Sequence, residues 1–207
     1  MGLANAQSPS RSHVPVGAKC TNFEKGLNCN RVLFAAYTTI WLCTSLTLLN
    51  PASPVVRFLC DSGIDFVVVG DFAACLQGAR ATTGVVEICY SPATPNLQRL
   101  VSALAPFHPR PRGIPGNSPF DWSEATVREN DALLLVTELG YLDMAAEVAG
   151  IGSYVEVKER SVLIRVFERS VAILDLRSLI EVKRAAGREK DLLALPELES
   201  LRESEEP

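Results

Sequence analysis

The stretch from Asp65 to Tyr90, DFVVVGDFAACLQGARATTGVVEICY, constrains the fold more than any other part of this 207-residue chain. Its apolar run Phe66–Val69 predicts a strand that is covered on both faces. Gly70 then permits a tight turn into a short helix, because glycine tolerates backbone conformations that other residues avoid. A basic loop at Arg80 leads into a second predicted strand, Val85–Tyr90. A buried strand, a turn, a short helix and another strand indicate a sheet with helices packed on it.

The rest of the chain supplies further helices and strands in irregular alternation. Helical periodicity or an apolar helical face is seen at 55–59, Phe72–Leu76, Asn96–Leu104, Leu176–Ala186 and Lys190–Arg202. Strand patterns are seen at Leu133–Thr137, Tyr141–Met144, Val162–Phe167 and Val171–Leu174, the last two predicted to form a hairpin around Arg169-Ser170. The proline-rich segment Pro106–Pro119 predicts an irregular, exposed loop. We therefore expect an α/β (α+β) fold with a mixed sheet, packed helices and a C-terminal helical pair.

Composition narrows the class of protein. The chain is 47% hydrophobic and 21% charged, as in globular proteins, and its net charge of −4 disfavours broad nucleic-acid binding. The six cysteines contain no CxxC pair, which is typical of reduced thiols in a cytoplasmic protein. His13, Cys20 and Cys29 do not have the ligand spacing of the usual zinc sites. We therefore expect a cytoplasmic protein without structural zinc.

The sequence divides into an N-terminal extension, 1–53, and an organised domain, 54–207. Residues 1–30 are rich in Ser, Pro, Gly and Asn, and they predict disorder. The following run Val32–Leu49 has no charged residue and is at the threshold length for a membrane span. Its Ser and Thr residues weaken that interpretation. A peripheral or poorly structured extension is favoured, and a membrane anchor through 32–49 is the alternative.

The core stretch resembles the small nucleotidyltransferases of the polymerase-β type, especially the minimal and abortive-infection (AbiEii-like) branches. Their pattern is an apolar strand, two small residues, a helix, an Arg, and then Asp-x-Asp on a strand. Here Asp71 occupies the second small position, and Val85 and Glu87 align with the Asp-x-Asp pair. An alignment without a shift would place Gly84 and Val86 there instead. The resemblance thus implies a nucleotidyltransferase-like core with a degenerate metal motif.

The Asp-x-Asp spacing has a physical basis. Residues i and i+2 of a strand point to the same face, so two such carboxylates share one side of the sheet. Carboxylate oxygens are ligands for Mg²⁺, and a third carboxylate from a neighbouring strand completes a two-metal arrangement. Val85 cannot bind a cation, whereas Glu87 can. The resemblance implies that Asp143, within ELGYLDMAAEVAGIGSY, is the third carboxylate.

The C-terminal helices extend the resemblance, which covers about 55–203. The segment LRSLIEVKRAAGREKDLLALPELESL is similar to the family pattern Leu-Ile-x-x-Lys-x-x-x-x-Arg-x-Lys-Asp. The matching positions in this chain are Leu179, Ile180, Lys183, Arg188, Lys190 and Asp191. The resemblance implies that nucleotide phosphates are bound by a set of residues distributed along the chain: Gly70, Arg80, Lys183, Arg188 and Lys190.

Each candidate also has a structural interpretation. Gly70 serves a tight turn equally well, and Asp143 is an ordinary surface carboxylate unless the resemblance holds. Glu87 would then be an edge-strand charge that discourages aggregation. Lys183 and Arg188 would belong to a solvated helix face, with Lys190-Asp191 capping the next helix.

The resemblance implies two functions of different classes. The first is an Mg²⁺-dependent enzyme that transfers a nucleotide monophosphate from an NTP to an acceptor, which is a protein, an RNA or a small molecule, with weak or lost activity. In it, Glu87 and Asp143 are catalytic residues and metal ligands. The alternative is a non-catalytic descendant that binds a nucleotide or a partner, such as a component of a toxin–antitoxin system.

Overall fold

The computed structural model describes residues 53–80, 84–115, 118–166 and 168–205. Its strands are β1 Phe66–Val69, β2 Val85–Tyr90, β3 Arg110–Pro111, β4 Ala132–Thr137, β5 Gly140–Ala145, β6 Glu147–Val148, β7 Gly152–Ser153, β8 Ser161–Val166 and β9 Arg169–Leu174. Its α-helices are α1 Ser53–Asp61, α2 Gly70–Leu76, α3 Thr94–Leu104, α4 Glu124–Glu129, α5 Tyr154–Glu159, α6 Leu176–Ala186 and α7 Glu189–Glu205. A 3₁₀ turn, Ala105–Phe107, follows α3.

In the described part of the chain, seven strands form one mixed sheet in the order β3-β4-β5-β2-β1-β9-β8. Strand β2 pairs antiparallel with β1 and parallel with β5, and β1 pairs parallel with β9. All four residues of β1 are buried, because the strand lies in the interior of the sheet and is covered on both faces. Strands β6 and β7 form a separate two-stranded ribbon.

Local sequence signals explain where the helices begin and end. The Asp175 side chain accepts a hydrogen bond from the Ser178 amide at the start of α6, and Gly187, at φ 60°, ends that helix. At α5, Ser153 and Glu156 form a reciprocal capping box. Helix α2 begins directly after β1 at Gly70, whose φ of 66° suits glycine. This sharp junction brings the start of α2 to the edge of the sheet face that carries Glu87.

The predicted fold class, a mixed sheet with packed helices and a C-terminal helical pair, is confirmed. The prediction of an irregular proline loop is wrong in part, because Arg110 and Pro111 pair with Val136 and Leu135 and add an edge strand. The predicted turn at Arg169-Ser170 is also wrong. Both residues lie within β9, because Glu168 adopts φ 61° and reverses the chain earlier.

Several short elements were not predicted, because each is too short to show a hydrophobic period: α4, α5, β6 and β7. The hypotheses about the apolar run Val32–Leu49 and about zinc binding by His13, Cys20 and Cys29 lie outside the described residues. In the part of the chain that the structure describes, no helix is long and apolar enough to cross a bilayer. Cys60 and Cys89 are free thiols, as predicted for them.

Candidate active site

Two of the predicted site residues lie side by side on neighbouring strands. Glu87 of β2 is the register partner of Asp143 of β5, and the two strands are parallel. Register partners on adjacent strands point to the same face of a sheet and lie close together. The other face of β2 and β5, which carries Val86, Ile88 and Leu142, is buried in the core. The sheet thus places both carboxylates on the face opposite these core residues.

Asp143 has one oxygen engaged and one oxygen without a partner. Its Oδ2 accepts a hydrogen bond from Arg112 at 2.7 Å. Its Oδ1 is buried and has no hydrogen-bond partner. Leaving a buried carboxylate oxygen unsatisfied costs free energy, so such an atom in a native protein calls for an explanation. A cation bound at this oxygen would provide one.

Glu87 lies directly against the turn at Gly70. A Cβ placed on Gly70 would be 2.5 Å from the Glu87 Cδ, well inside contact distance. The missing side chain at Gly70 therefore gives the Glu87 carboxylate room beside the first turn of α2. In this arrangement the carboxylate itself occupies the space through which a phosphate would approach the Gly70 backbone.

Both carboxylates titrate at higher pH than ordinary Asp and Glu side chains. Burial raises the pKa of Glu87, and the nearby negative charges of Asp71 and Asp143 raise it further, against the lowering effect of Lys190 and Arg188. Burial also raises the pKa of Asp143, although Arg112 acts in the opposite direction. Burial, the largest cause of both raised pKa values, disfavours the ionised carboxylates, and a bound cation would offset that cost.

A second group of charges lies beside the carboxylate pair and is fully paired. The Lys183 Nζ donates to Asp71 at 2.5 Å and to Asp191 at 3.2 Å. The Arg188 Nε donates to the other oxygen of Asp191 at 2.5 Å. We call Asp71, Lys183, Arg188 and Asp191 the ion-pair cluster. It joins α2 to α6 and α7.

The interior of the ion-pair cluster is buried. Lys183 is 5% exposed and Asp191 is 2% exposed. Burial alone would lower the pKa of Lys183, but the Asp71 and Asp191 carboxylates outweigh it and the pKa is raised. Burial likewise acts to raise the pKa of Asp191, and Arg188 and Lys183 reverse that effect. The Lys183 ammonium therefore stays charged inside the protein, where its ion pairs connect α6 to α2 and α7.

The remaining predicted phosphate ligands differ in position. Lys190 and Arg188 are exposed and are close enough to lower the pKa of Glu87. Lys190 acts on Asp143 as well. The Arg80 backbone amide donates to Glu197 of α7. Within the described ranges, no hydrogen bond or ion pair joins the Arg80 side chain to the carboxylate pair, so the structure does not bring Arg80 into the site.

The donor set fits one divalent cation better than two. Among the described residues, no three His, Cys, Asp or Glu side chains are arranged to hold a metal ion. Val85 lies on the same strand face as Glu87 but offers no ligand atom. Mg²⁺ is commonly bound by one or two carboxylates and completes its shell with water and substrate phosphates. Glu87 and the unpartnered Oδ1 of Asp143 meet that lower requirement.

Sequence reasoning missed one residue of the site and gave another the wrong role. Arg112 lies in the proline-rich segment, 31 residues before Asp143, and no local pattern connects the two. The structural alternative predicts only a helix cap at Lys190-Asp191, whereas the Asp191 carboxylate binds Lys183 and Arg188. Its position in an i, i+3 pair with Arg188 was the one available signal.

Comparison with known proteins does not assign this chain to a family. No protein-family model matches the chain, and no curated protein matches it at a significant level. One similar solved structure is the crystal structure of the lincosamide antibiotic adenylyltransferase LnuA with bound lincomycin. It is 13% identical, with a TM-score of 0.49, and the match covers 71% of this chain and 93% of that chain. We draw nothing about function from similarity at this level.

Proposed function

We propose that this protein binds an NTP together with Mg²⁺ through Glu87 and Asp143 and transfers the nucleotide monophosphate to a hydroxyl group at a low rate. The observation that carries the proposal is the buried, unpartnered Oδ1 of Asp143 in register with Glu87. The core sequence pattern around Gly70, which resembles nucleotidyltransferases, supports it. Arg188 and Lys190 are the exposed cations near the pair and would bind the β- and γ-phosphates.

The reaction breaks a phosphoanhydride bond of the NTP and forms a phosphoester bond to the acceptor. The acceptor hydroxyl oxygen attacks the α-phosphorus, the bond from the α-phosphorus to the bridging oxygen breaks, and pyrophosphate leaves with that oxygen. The hydroxyl proton passes to water at the open face. Bound Mg²⁺ would supply charge neutralisation on the phosphate oxygens. The chain contributes position and electrostatic stabilisation, which carry most of the catalysis in phosphoryl transfer.

Three features of the site explain why the rate would be low. Val85 stands where the nucleotidyltransferase pattern has its first carboxylate. Arg112 already neutralises one oxygen of Asp143. The Glu87 carboxylate also lies against Gly70, so it must move before a phosphate can approach the backbone there.

The alternative is a protein that binds nucleotide without transferring it. The pairing of Lys183 inside the ion-pair cluster favours this function, because a cation held by two carboxylates is not free to stabilise a leaving group. Both functions require Mg²⁺-dependent nucleotide binding, and only the first produces a labelled acceptor.

Isothermal titration calorimetry of the full chain with each of the four NTPs, with and without Mg²⁺, tests the proposal. We expect Mg²⁺ to strengthen binding of at least one NTP by about tenfold or more, equivalent to about 1.4 kcal/mol. Asp143→Asn should abolish the Mg²⁺ effect. Asp65→Asn, an acid-to-amide change at an exposed ion pair with Arg99, should leave it intact.

Nucleotide affinity that is the same with and without Mg²⁺ would contradict the proposed site. If binding depends on Mg²⁺, incubation with α-labelled NTP and Mg²⁺ or Mn²⁺ then separates the two functions. Release of pyrophosphate together with a labelled product identifies the enzyme, whereas binding without release identifies the non-catalytic protein.

A further inference from the structure

An exposed apolar row lies on the same sheet face as the carboxylate pair. Leu134 of β4 is the register partner of Asp143, and Val136 is the register partner of Tyr141. Leu134 is 48% exposed, Val136 39% and Tyr141 46%. Apolar side chains normally cover the core, and their neighbours Leu133 and Leu135 do so. We call Leu134, Val136 and Tyr141 the apolar row.

The apolar row leads into a cleft at the edge of the sheet. The cleft has a volume of about 670 Å³, and Val136 belongs to both the row and the cleft lining. Much of the cleft lining comes from the segment after α3, which contributes four prolines together with Ile114, Phe120 and Trp122. A volume of this size lies within the range of pockets that bind small molecules. Arg110 is an exposed charge in the lining.

The cleft is close enough to the carboxylate pair to serve the same reaction. Val136 lies one strand away from Asp143 and two residues along, so their Cα atoms are about 8 Å apart for ordinary strand spacings. A molecule of two or three fused or linked rings spans that distance. Its body could rest in the cleft while a hydroxyl group at its end reaches a nucleotide held at Glu87 and Asp143.

We propose that the acceptor is a small molecule with an apolar, ring-containing body and a hydroxyl group, bound in this cleft and along the apolar row. This inference rests on the proposed function and names its substrate class. Among the residues that line the cleft, the cations are Arg110 and, if protonated, His108, whereas binding of a polynucleotide needs a basic track. A protein acceptor would dock on a broad complementary surface rather than in a cleft of this volume.

The Arg112 contacts support a link between the two sites. Arg112 donates to Asp143, and its guanidinium also lies 5.8 Å from the centre of the Tyr141 ring. One side chain therefore touches both the carboxylate pair and the apolar row. A ring-bearing ligand stacked on the row would meet the same guanidinium, since cations and aromatic faces attract each other at this range.

The test uses 4-methylumbelliferone, a fluorescent fused-ring phenol, as the probe on the full chain. We expect saturable binding, measured by fluorescence titration, that Ile114→Asp weakens by about tenfold or more, or about 1.4 kcal/mol. Ile114 is 53% exposed, so the variant should fold. Leu163→Asp, at a 71% exposed position of β8 on the opposite edge of the sheet, is the matched control and should bind the probe as wild type does.

In the probe titrations, the inference is overturned by no saturable binding to the wild type, or by equal loss in the Ile114 and Leu163 variants. NTP titrations of the Ile114→Asp variant keep the inference separate from the proposed function. If Mg²⁺–NTP binding persists there while probe binding is lost, the cleft is the acceptor site. If the wild type binds the probe but no NTP, the proposed function fails and the acceptor role of the cleft fails with it. Labelling of RNA or protein instead of the phenol by α-labelled NTP would also overturn it.

Discussion

The carboxylate pair and the ion-pair cluster interact electrostatically, yet their charges are balanced in opposite ways. At the pair, Glu87 and Asp143 share one face, burial raises the pKa of Glu87, and a buried oxygen of Asp143 has no partner. In the cluster, Lys183 and Asp191 are buried more deeply, but each charge has an ionic partner. A buried group without a partner points to a ligand, whereas a satisfied network points to stability. The comparison therefore supports metal binding by the carboxylate pair on the sheet and a structural role for the buried Lys183 and Asp191.

The largest effect should come from breaking the ion-pair cluster. Asp191→Ala removes the carboxylate that binds both Lys183 and Arg188. Lys183 keeps Asp71 as its ion-pair partner, so the cost should be at most about 3–5 kcal/mol, the cost expected when a buried charge loses its partner completely. Urea denaturation followed by circular dichroism measures the loss in the free energy of unfolding. Asp65→Ala removes an exposed pair with Arg99 and should cost at most about 1 kcal/mol. Equal losses in the free energy of unfolding of the two variants would show that the ion-pair cluster stabilises the fold no more than an exposed ion pair does.

A matched pair of glycine substitutions tests the contact between Gly70 and Glu87. Gly70 and Gly63 have φ values of 66° and 63°, so alanine at either position carries a similar backbone cost of about 1–3 kcal/mol. Nothing lies within 4 Å of a Cβ at Gly63, whereas Glu87 fills that space at Gly70. Gly70→Ala should therefore destabilise more than Gly63→Ala in urea denaturation. In a Glu87→Ala background the difference should disappear, and its persistence would place the steric conflict elsewhere.

Adding a third carboxylate beside the carboxylate pair should strengthen Mg²⁺-dependent binding of NTP. Val85 is two residues from Glu87 on β2, so Val85→Asp places a third carboxylate on the same face. We expect Mg²⁺-dependent NTP affinity to rise by about tenfold, or about 1.4 kcal/mol, in calorimetry. Val85→Asn has nearly the same shape without the charge and should show no such gain. A gain in both variants would mean that shape, and not metal coordination, limits binding.

The smallest expected effect concerns the pH dependence of stability. The pKa of Glu87 is raised in the folded protein, so the wild type loses stability as the pH rises from the ordinary Glu pKa to the raised pKa, and the loss is complete above the raised pKa. Glu87→Gln should therefore stabilise the protein at pH 7 by less than about 1 kcal/mol. The advantage should vanish as the pH falls below the ordinary Glu pKa, where both states of the wild type are protonated. Thermal unfolding without Mg²⁺ at several pH values measures the difference in stability between the variant and the wild type. A variant less stable than the wild type at pH 7 would contradict the raised pKa of Glu87.

Much of the fold could be predicted because its local signals agree with its packing. The apolar run of β1, the Gly70 turn and the ends of α6 all follow from residues within a few positions of each other. The pairing of Glu87 with Asp143 came from a resemblance and not from a local pattern, since α3, β3, α4 and β4 separate β2 from β5 along the chain. Arg112 and the double role of Asp191 were missed because both depend on contacts between distant segments. The short elements β6, β7, α4 and α5 have too few residues to show any period.

The place of β1 in the sheet has a consequence for how the chain is made. Val68 pairs in parallel with Ile173, a residue far along the sequence, and such long-range closure is slow. Before β9 is synthesised and paired, Phe66–Val69 is an uncharged strand rich in valine with one edge unpaired. Such an edge can pair with strands of other chains. Pairing with β9 thus covers this edge only after the C-terminal hairpin of β8 and β9 has been synthesised, and chains truncated before residue 161 would leave the edge exposed.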